Sequence, residues 1–318
     1  PEDDPEAAGR MSAAPDRALV AGTGKMGRNI GLHLARNGWR VAWLGRDQER
    51  LERTARWLGR RLRKLPDEAA LGFFCLGDPE LPAVDLVVEA VEEDLQRKRE
   101  LLASLEQALP GPAPILLSTT SSFLPGELHP RLSVAHFFYP LEYTGLVELI
   151  VAREADARKP VQLLERTGLM VLRQDERSAF LLNRLLLPLQ NACYLALEQG
   201  MDAEAVDEAS AASPLCPLEQ LSLINSVGPK TVAAAAQNYL ARMPAGEADA
   251  YEPLRRGLAG EPATSANQPM PDFARLMLTS CLHALEQGLI DGPTLDTALK
   301  KLYGAETTAA EERERLNM

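Results

Sequence analysis

A G-x-G-x-x-G pattern near the amino terminus constrains the fold of this 318-residue chain more than any other feature. Gly22, Gly24 and Gly27 follow the apolar run at 18–21 and begin a stretch with helical apolar spacing. In such a strand–turn–helix unit the glycines permit a tight turn, a close approach of phosphate to the backbone, and close packing of helix on strand. The pattern predicts a dinucleotide site, although a glycine-rich turn without a ligand is the alternative. The candidate cofactor residues in this turn are Gly22, Gly24, Lys25, Met26 and Gly27.

Apolar runs alternate with amphipathic stretches as far as about residue 174. Their lack of internal alternation is typical of parallel strands that are buried on both faces. The predicted strands lie at 18–21, 41–44, 84–90, 115–118, 132–138, 146–152 and 169–173. Alternating strands and helices indicate a doubly wound parallel sheet. We therefore predict an α/β Rossmann-type dinucleotide-binding domain at 17–176, preceded by an acidic flexible segment at 1–16.

The pattern after residue 177 is helical and contains a repeat. CYLALEQG at 193–200 returns as CLHALEQG at 281–288, and each copy ends on a glycine before a further helical stretch. The pattern predicts an all-α domain at 177–318 with two related lobes, at 177–242 and 272–304. A Pro/Gly/Ala-rich linker is expected between the lobes.

Composition excludes several functional classes. A net charge of −11 argues against a nucleic-acid partner, and no apolar run is long enough to span a bilayer. The four cysteines form no C-x-x-C pair, which favours reduced thiols in a cytoplasmic protein and no metal site.

The end of the second predicted strand bears on the choice of cofactor. An acidic residue is expected there when NAD is bound, because it hydrogen-bonds the ribose hydroxyls. This chain has Gly45 at that position, followed by Arg46, whose side chain suits a 2′-phosphate. The pattern therefore favours NADP over NAD. The alternatives are that Asp47 takes the ribose role, or that Arg46 is only a solvated side chain.

Several motifs in order resemble the L-3-hydroxyacyl-CoA dehydrogenase family, from about residue 17 to 220, with a weaker similarity at 272–303. They are GTGKMGRNIG, VVEAVEEDLQRKRELL, STTSS, HFFYP, LVELI and FLLNRLLLP. Each motif alone is weak evidence, but their order and spacing together are specific.

The resemblance implies roles for individual residues. The catalytic base is expected at His136, with Glu148 holding its imidazole and favouring the imidazolium. Ser121 and Asn183 are expected to contact the substrate. Glu89 and Lys98 are expected near the cofactor's nicotinamide ribose.

The residues themselves allow other interpretations. His136 could be a core histidine bonded to a backbone carbonyl, and Ser121 could cap a helix. Asn183 could make a structural bond between domains. Glu89 and Lys98 could form a surface pair.

Departures from the family pattern affect the substrate. Tyr139 stands where the family has an asparagine beside the substrate, so a changed pocket is expected there. The predicted function is NAD(P)-dependent interconversion of a 3-hydroxyacyl and a 3-ketoacyl thioester, carried by CoA or a carrier protein. The alternatives are a dehydrogenase of a free polar hydroxy acid and an inactive cofactor-binding scaffold.

Two further features concern partners. Residues 46–64 contain eight basic and three acidic residues, a net +5 that suits a CoA phosphate, an acidic carrier protein, or simply a solvated helix face. The resemblance, together with the repeat, implies either a monomer with an internal pseudo-dimer or a homodimer through the helical domain.

Overall fold

The computed structural model describes residues 16–63, 69–152, 157–244, 246–261 and 269–318. The chain forms two compact units: residues up to Ser118 together with Arg166–Gly168, and Thr119–Glu165 together with Leu169–Met318. Nearly all of the acidic segment predicted at 1–16 lies outside the described residues, so its flexibility stays a prediction.

The first unit is a parallel sheet with accompanying helices. Its described elements are β1 (Arg17–Ala21), α1 (Lys25–Arg36), β2 (Arg40–Gly45), α2 (Gln48–Leu62), β3 (Ala70–Cys75), β4 (Leu86–Glu89), α3 (Leu95–Ala108) and β5 (Ile115–Ser118). Hydrogen-bonded neighbours follow the order β3-β2-β1-β4-β5, and the pairs are parallel. This order, with its reversal beside β1, is that of a Rossmann-type sheet. The predicted fold class is confirmed.

Strand β3 was not predicted, and its burial explains why. Residues of β1 such as Leu19 and Val20 are fully buried, whereas each residue of β3 is only partly buried. β3 pairs with β2 alone, with a register shift between Val41 and Ala42. An edge strand with a glycine and partial burial lacks the continuous apolar run of the central strands.

The second unit begins with three further strands. Its elements up to residue 174 are α4 (Pro125–Leu128), β6 (Leu132–Phe137), α5 (Leu141–Thr144), β7 (Leu146–Ile150), α6 (Arg158–Glu165) and β8 (Met170–Gln174). β7 and β8 are parallel, but β6 and β7 are antiparallel, so the prediction of an entirely parallel sheet is wrong for this pair. The connection at 138–145 contains only the single turn α5. A parallel crossover needs about a dozen residues or more, so this short link allows only an antiparallel pair.

The rest of the second unit is helical. The helices are α7 (Leu181–Glu198), α8 (Ala203–Ala211), α9 (Gln220–Val227), α10 (Pro229–Leu240), α11 (Glu252–Ala259), α12 (Phe273–Glu286), α13 (Gly292–Tyr303) and α14 (Ala309–Arg315). No strand follows β8 in the described residues, which confirms the all-α expectation. The boundary predicted at 176/177 stays a prediction, since β6, β7 and β8 belong to the same compact unit as these helices.

The predicted linker between the lobes is partly wrong. It contains a 3-10 helix (Glu247–Tyr251) and α11, and Leu254 of α11 is fully buried. Asn191 of α7 accepts the Leu254 N–H at 3.1 Å and donates to the Ala250 carbonyl at 3.0 Å. Eight helical residues among prolines and glycines are too few to show a periodic pattern, so only these contacts reveal the helix.

The sequence repeat is a structural repeat. The first copy comprises α7, α8 and α9, and the second copy comprises α12, α13 and α14. Gly200 and Gly288, with φ of +82° and +62°, follow α7 and α12. Asp202 and Asp291 then cap α8 and α13 through their carboxylates. The first helices of the two copies pack against each other, and the core of this unit lies around them.

Candidate active site

The glycine turn after β1 has a geometry that requires glycine. Gly22 has φ +139°, and a Cβ there would lie 2.2 Å from the Ala90 carbonyl oxygen. A Cβ at Gly27 would lie 2.2 Å from the Gly22 carbonyl oxygen. These two glycines therefore let the turn, α1 and the end of β4 approach each other closely.

The middle glycine of the turn instead faces open space. A Cβ at Gly24 would meet no atom within 4 Å. Gly24 is also the N-cap of α1, where no side chain caps the helix and no acidic residue occupies the first turn. Lys25 is exposed and Met26 is half-buried in that turn. Open backbone N–H groups at a helix N-terminus favour an anion, so these residues fit the pyrophosphate of a dinucleotide.

One basic and one acidic residue, Arg46 and Asp47, follow β2, and their side chains have different surroundings. The Asp47 carboxylate caps α2, accepting the Arg50 N–H at 2.8 Å, and lies 3.3 Å from Arg50 Nε. Arg46 is exposed. A Cβ at Gly45 would lie 2.9 Å from Leu51, which leaves little room for a carboxylate at that position.

Glu89 and Lys98 form a buried ion pair, so their interpretation as a surface pair is wrong. The side chains are 0% and 1% exposed, with Lys98 Nζ 2.9 and 3.0 Å from the two carboxylate oxygens. Glu89 also accepts the Val91 N–H at 2.7 Å. The pair therefore holds the loop after β4 in one conformation. A cofactor role for either residue stays a prediction.

His136 and Glu148 face each other because of strand register. They are directly opposed residues of the antiparallel pair β6–β7. His136 Nδ1 lies 2.6 Å from Glu148 Oε2, with the carboxylate fully buried and His136 only 6% exposed. The partner of His136 Nδ1 is thus a carboxylate rather than the backbone carbonyl of the alternative interpretation, and a catalytic role stays a prediction. Nδ1 donates to the carboxylate, so Nε2 carries the lone pair of the neutral ring.

Among the described residues, the Glu148 carboxylate is held by three donors, of which His136 Nδ1 is one. Its Oε1 accepts the Gln174 side-chain amide at 2.7 Å and the Leu182 N–H at 2.9 Å. Leu182 lies in the first turn of α7, where the helix dipole favours a negative charge. Gln174 is fixed in turn, because its oxygen accepts the Phe180 N–H at 3.1 Å.

The Nε2 side of His136 faces Asn183. Asn183 Nδ2 lies 3.5 Å from His136 Nε2 and donates to the Tyr239 hydroxyl at 3.2 Å. Phe138 and Phe180 pack edge-on against the imidazole, at 4.5 and 5.6 Å between ring centroids. Asn183 is therefore a side-chain neighbour of the histidine and is not limited to a structural bond.

Ser121 joins the same group of residues through its backbone. The Tyr239 hydroxyl donates to the Ser121 carbonyl oxygen. The turn-capping role belongs to Thr120, whose hydroxyl accepts the N–H groups of Ser122 and Phe123. Ser121, His136, Glu148 and Asn183 thus lie in one hydrogen-bonded cluster within the second unit.

Tyr139 lies two residues beyond the end of β6 and is 46% exposed. Its position close to His136 in sequence is compatible with a place beside a substrate. That role stays a prediction.

Sequence reasoning missed Gln174, Phe180 and Tyr239. Gln174 lies two residues after the buried Leu172 in β8, so the period of two along a strand places it on the same face and is an available signal. Phe180 has φ +57°, which no sequence pattern indicates. The Tyr239 hydroxyl contacts Ser121, 118 residues away, and Asn183, 56 residues away, so nothing local identifies it.

Other site chemistry is limited in the part of the chain that the structure describes. No group of three His, Cys, Asp or Glu side chains there could hold a metal ion, and no described helix is long and apolar enough to cross a membrane. Burial raises the pKa of the Cys193, Cys216 and Cys281 thiols to about 12. These three cysteines are therefore neutral packing residues.

Comparison with known proteins adds an independent observation. A family model described as "3-hydroxyacyl-CoA dehydrogenase, NAD binding domain" matches residues 75–170, which include His136 and Glu148 but not the glycine turn. A 3-hydroxybutyryl-CoA dehydrogenase of Mycobacterium tuberculosis is 31% identical over 246 residues, covering 70% of this chain and 85% of the relative. A probable 3-hydroxybutyryl-CoA dehydrogenase of Bacillus subtilis is 28% identical over 238 residues, covering 66% and 80%.

The fold has a counterpart among solved structures. The crystal structure of 3-hydroxybutyryl-CoA dehydrogenase from Escherichia coli K12 superposes with a TM-score of 0.72 and 19% identity, covering 96% of this chain and 92% of that one. At this identity the likeness concerns the fold alone.

Proposed function

The chain belongs to the 3-hydroxyacyl-CoA dehydrogenase family, and from this membership we propose that it interconverts 3-hydroxyacyl-CoA and 3-ketoacyl-CoA with a nicotinamide dinucleotide. The substrates named for the relatives support an acyl-CoA. The observation that carries the proposal is the buried pair of His136 Nδ1 and Glu148 Oε2 at 2.6 Å, with Asn183 beside Nε2.

His136 acts as the acid–base group. In the oxidation direction its Nε2 takes the proton from the C3 hydroxyl, and Glu148 stabilises the imidazolium that forms. In the reduction direction the same nitrogen returns the proton to the C3 oxygen. A positioned acid–base group of this kind contributes about 10²- to 10⁴-fold in rate.

Asn183 assists at the substrate oxygen. Its amide N–H lies next to Nε2, so it can donate to the oxygen that His136 protonates. That hydrogen bond strengthens as negative charge develops on the oxygen, and it therefore favours the transition state over the ground state.

The dinucleotide would be held by the turn of Gly22, Gly24 and Gly27 at the N-terminus of α1. When bound, it supplies the acceptor or donor of the hydride exchanged at C3. Met26, Lys25 and the buried Glu89–Lys98 pair are the other candidate contacts of this site.

Steady-state oxidation of NADH and NADPH with acetoacetyl-CoA tests the proposal. We expect turnover in the wild type and a loss of roughly 10³-fold in His136→Ala. His283→Ala is the matched control, because His283 is exposed on α12, and it should leave kcat unchanged.

Two results would overturn the proposal. Equal activity of His136→Ala and wild type would remove the histidine from the chemistry. Tight nucleotide binding without turnover on acetoacetyl-CoA would exclude this substrate. Assays with carrier-bound and free hydroxy acids would then separate another substrate from an inactive scaffold.

We further infer a preference for NADP from the end of β2. The Asp47 carboxylate is engaged by Arg50, which weakens its candidacy for the ribose hydroxyls. Arg46 is exposed beside the crowded Gly45 and suits the 2′-phosphate.

The ratio of kcat/KM for NADPH to that for NADH measures this preference. Arg46→Ala should lower the ratio by about tenfold or more, whereas Arg56→Ala, which removes an exposed arginine of α2, should not. A wild type that prefers NADH, with a ratio unchanged in Arg46→Ala, would contradict the inference.

The repeat supports a monomer with an internal pseudo-dimer. The first helix of each copy packs against the other within one chain. Light scattering after size exclusion should give the mass of one chain, 34.7 kDa. Twice that mass would favour the homodimer.

A further inference from the structure

The Tyr239 hydroxyl determines which way the Asn183 amide faces. This hydroxyl donates its only hydrogen to the Ser121 carbonyl oxygen, which cannot donate in return. The amide atom of Asn183 that lies 3.2 Å from the hydroxyl must therefore be a donor, and it is Nδ2. Amide nitrogen and oxygen are distinguished by such partners, and here the partner allows one answer.

The neutral form of His136 requires the same orientation. Its Nδ1 hydrogen is committed to Glu148, so Nε2 is an acceptor and faces Asn183 Nδ2 at 3.5 Å. In this state both neighbours of the amide, the Tyr239 hydroxyl and His136 Nε2, are hydrogen-bond acceptors that favour its NH₂ group.

Once His136 carries a proton on Nε2, the two neighbours of the Asn183 amide favour opposite orientations of that amide. The imidazolium Nε2–H is a donor, and a freely rotating amide would turn to present its oxygen to it. A hydrogen bond from a charged donor is about twice as strong as a neutral one, so the turned state would be favoured. The turned amide would stabilise the proton on His136 Nε2, and its N–H would no longer donate to the substrate oxygen.

We propose that Tyr239 is a positioning residue that keeps Asn183 a hydrogen-bond donor in both protonation states of His136. The proposal rests on the proposed function for its catalytic meaning. Turning the amide would bring its oxygen against the lone pairs of the Tyr239 hydroxyl, whose hydrogen is held by Ser121. Tyr239 thereby opposes the turn that the imidazolium favours.

The helix that carries Tyr239 is held independently of its hydroxyl. Tyr239 is 5% exposed, and its ring packs on Phe180 at 5.7 Å between centroids. Asn238 donates to the Ser122 hydroxyl at 2.9 Å, and Arg242 donates to the Ser122 carbonyl at 2.7 Å. Tyr239→Phe should therefore retain the packing of α10 and lose only the hydroxyl.

Kinetics of Tyr239→Phe in the reduction of acetoacetyl-CoA provide the first test. We expect kcat to fall about fivefold to tenfold while KM changes less than about twofold, because the lost constraint acts on the transition state. Tyr194→Phe on α7 is the matched control, since Tyr194 is half-buried and its hydroxyl makes no hydrogen bond to the residues that the structure describes; its kcat should not change. A Tyr239→Phe variant with wild-type kcat would overturn the proposal.

The pH dependence gives a readout that a purely structural role would not move. Reduction needs a protonated His136, so kcat declines as the pH rises. In Tyr239→Phe the turned amide accepts a hydrogen bond from the imidazolium, so the decline in kcat should move to higher pH. A lower kcat with an unshifted decline would show a general loss of order and would refute this role.

A double-mutant cycle tests whether Tyr239 acts through Asn183. In the Asn183→Ala background the change Tyr239→Phe should have no further effect on kcat. Independent, multiplying effects would assign Tyr239 a role of its own and contradict the proposal.

The Asn183 side-chain amide can be followed without turnover. With ¹⁵N-labelled asparagine, its hydrogens should exchange slowly with solvent in the wild type and about tenfold faster in Tyr239→Phe. Unchanged exchange would refute the positioning role even in an active enzyme. Faster exchange in a protein that does not reduce acetoacetyl-CoA would instead leave the positioning intact and count against the proposed substrate.

Discussion

The two copies of the helical repeat share a framework but not the chemistry. Asp207 in the first copy accepts the Leu221 N–H at 2.6 Å and the Ser222 N–H at 2.9 Å, at the start of α9. Asp296, its counterpart in the second copy, accepts the Ala309 N–H at 2.9 Å at the start of α14. In each copy an aspartate of the second helix thus accepts at least one backbone N–H group at the start of the third helix.

The copies differ at the start of their first helices. α7 has 18 residues and α12 has 14, and the repeat aligns Phe273 with Leu185. The first turn of α7, which carries Asn183 and presents the Leu182 N–H to Glu148, has no counterpart in α12. Residues found in both copies therefore maintain the helical framework, and the unshared turn contributes to the site.

Among variants that distinguish the two copies, the largest expected effect comes from the unshared turn. Asn183→Ala should lower kcat about a hundredfold with a change in Tm below about 2 °C, because the lost group donates to the developing oxyanion. Steady-state kinetics and thermal melting measure the two quantities. Thr279→Ala, at the α12 position aligned with Asn191, is the control and should keep full activity. A large drop in Tm with little change in kcat would assign Asn183 to the framework instead.

Replacing either shared aspartate should lower the free energy of unfolding, and the two effects should differ in size. Asp207→Ala removes a buried carboxylate that also accepts the Ser222 hydroxyl at 2.8 Å, and should cost about 2–3 kcal/mol. Asp296→Ala removes the carboxylate that accepts the Ala309 N–H at 2.9 Å and should cost about 1 kcal/mol. Urea unfolding measures both. Equal costs would show that the copies are not held in the way that their hydrogen bonds indicate.

A hydrogen bond links the second copy to the turn that supports Glu148. The Tyr303 hydroxyl donates to the Leu182 carbonyl, and burial raises its pKa well above the usual value, so it stays protonated. Tyr303→Phe should lower kcat about threefold by loosening that turn. Tyr143→Phe, at a residue 81% exposed, is the control. An unchanged kcat in Tyr303→Phe would show that the second copy contributes only to stability.

The smallest effect concerns the aligned cysteines. Cys193 and Cys281 are fully buried, and burial raises their pKa to about 12, as it does for Cys216. At pH 8 these thiols are neutral and inaccessible, so only the half-buried Cys75 should react with a thiol reagent in the native protein. Titration should give one reactive thiol natively and four in denaturant. More than one native thiol would show that the packing of the two copies opens readily.

Local sequence patterns predicted the elements that depend on the properties of neighbouring residues. The strand, glycine turn and helix at residues 17–36 were predictable because Gly22 needs a positive φ and the flanking apolar runs show their periods. The repeat was predictable because the same residues recur in both copies, and a glycine follows the first helix of each copy, at Gly200 and Gly288. The edge strand β3 and the short helix α11 were missed, since neither buries enough residues to leave a pattern.

Family resemblance predicted the members of the candidate site and the contact between His136 and Glu148, but not the other hydrogen bonds of the cluster. His136, Glu148, Ser121 and Asn183 do lie in one cluster. The surroundings of Glu148, by contrast, depend on Gln174, whose position follows from strand pairing rather than from any motif.

The order of apolar runs, the glycine spacing and the repeat are properties of neighbouring residues, so the amino-acid sequence alone was enough to establish a Rossmann-type unit followed by a doubled helical lobe. The antiparallel pairing of β6 with β7 sets Glu148 opposite His136, and the packing of α10 brings Tyr239 to Ser121. Both depend on contacts between segments distant in the chain, whose energies come from burial and hydrogen bonding in the folded state. No local period or spacing encodes such contacts, and for that reason folding of the whole second unit assembles the candidate acid–base site.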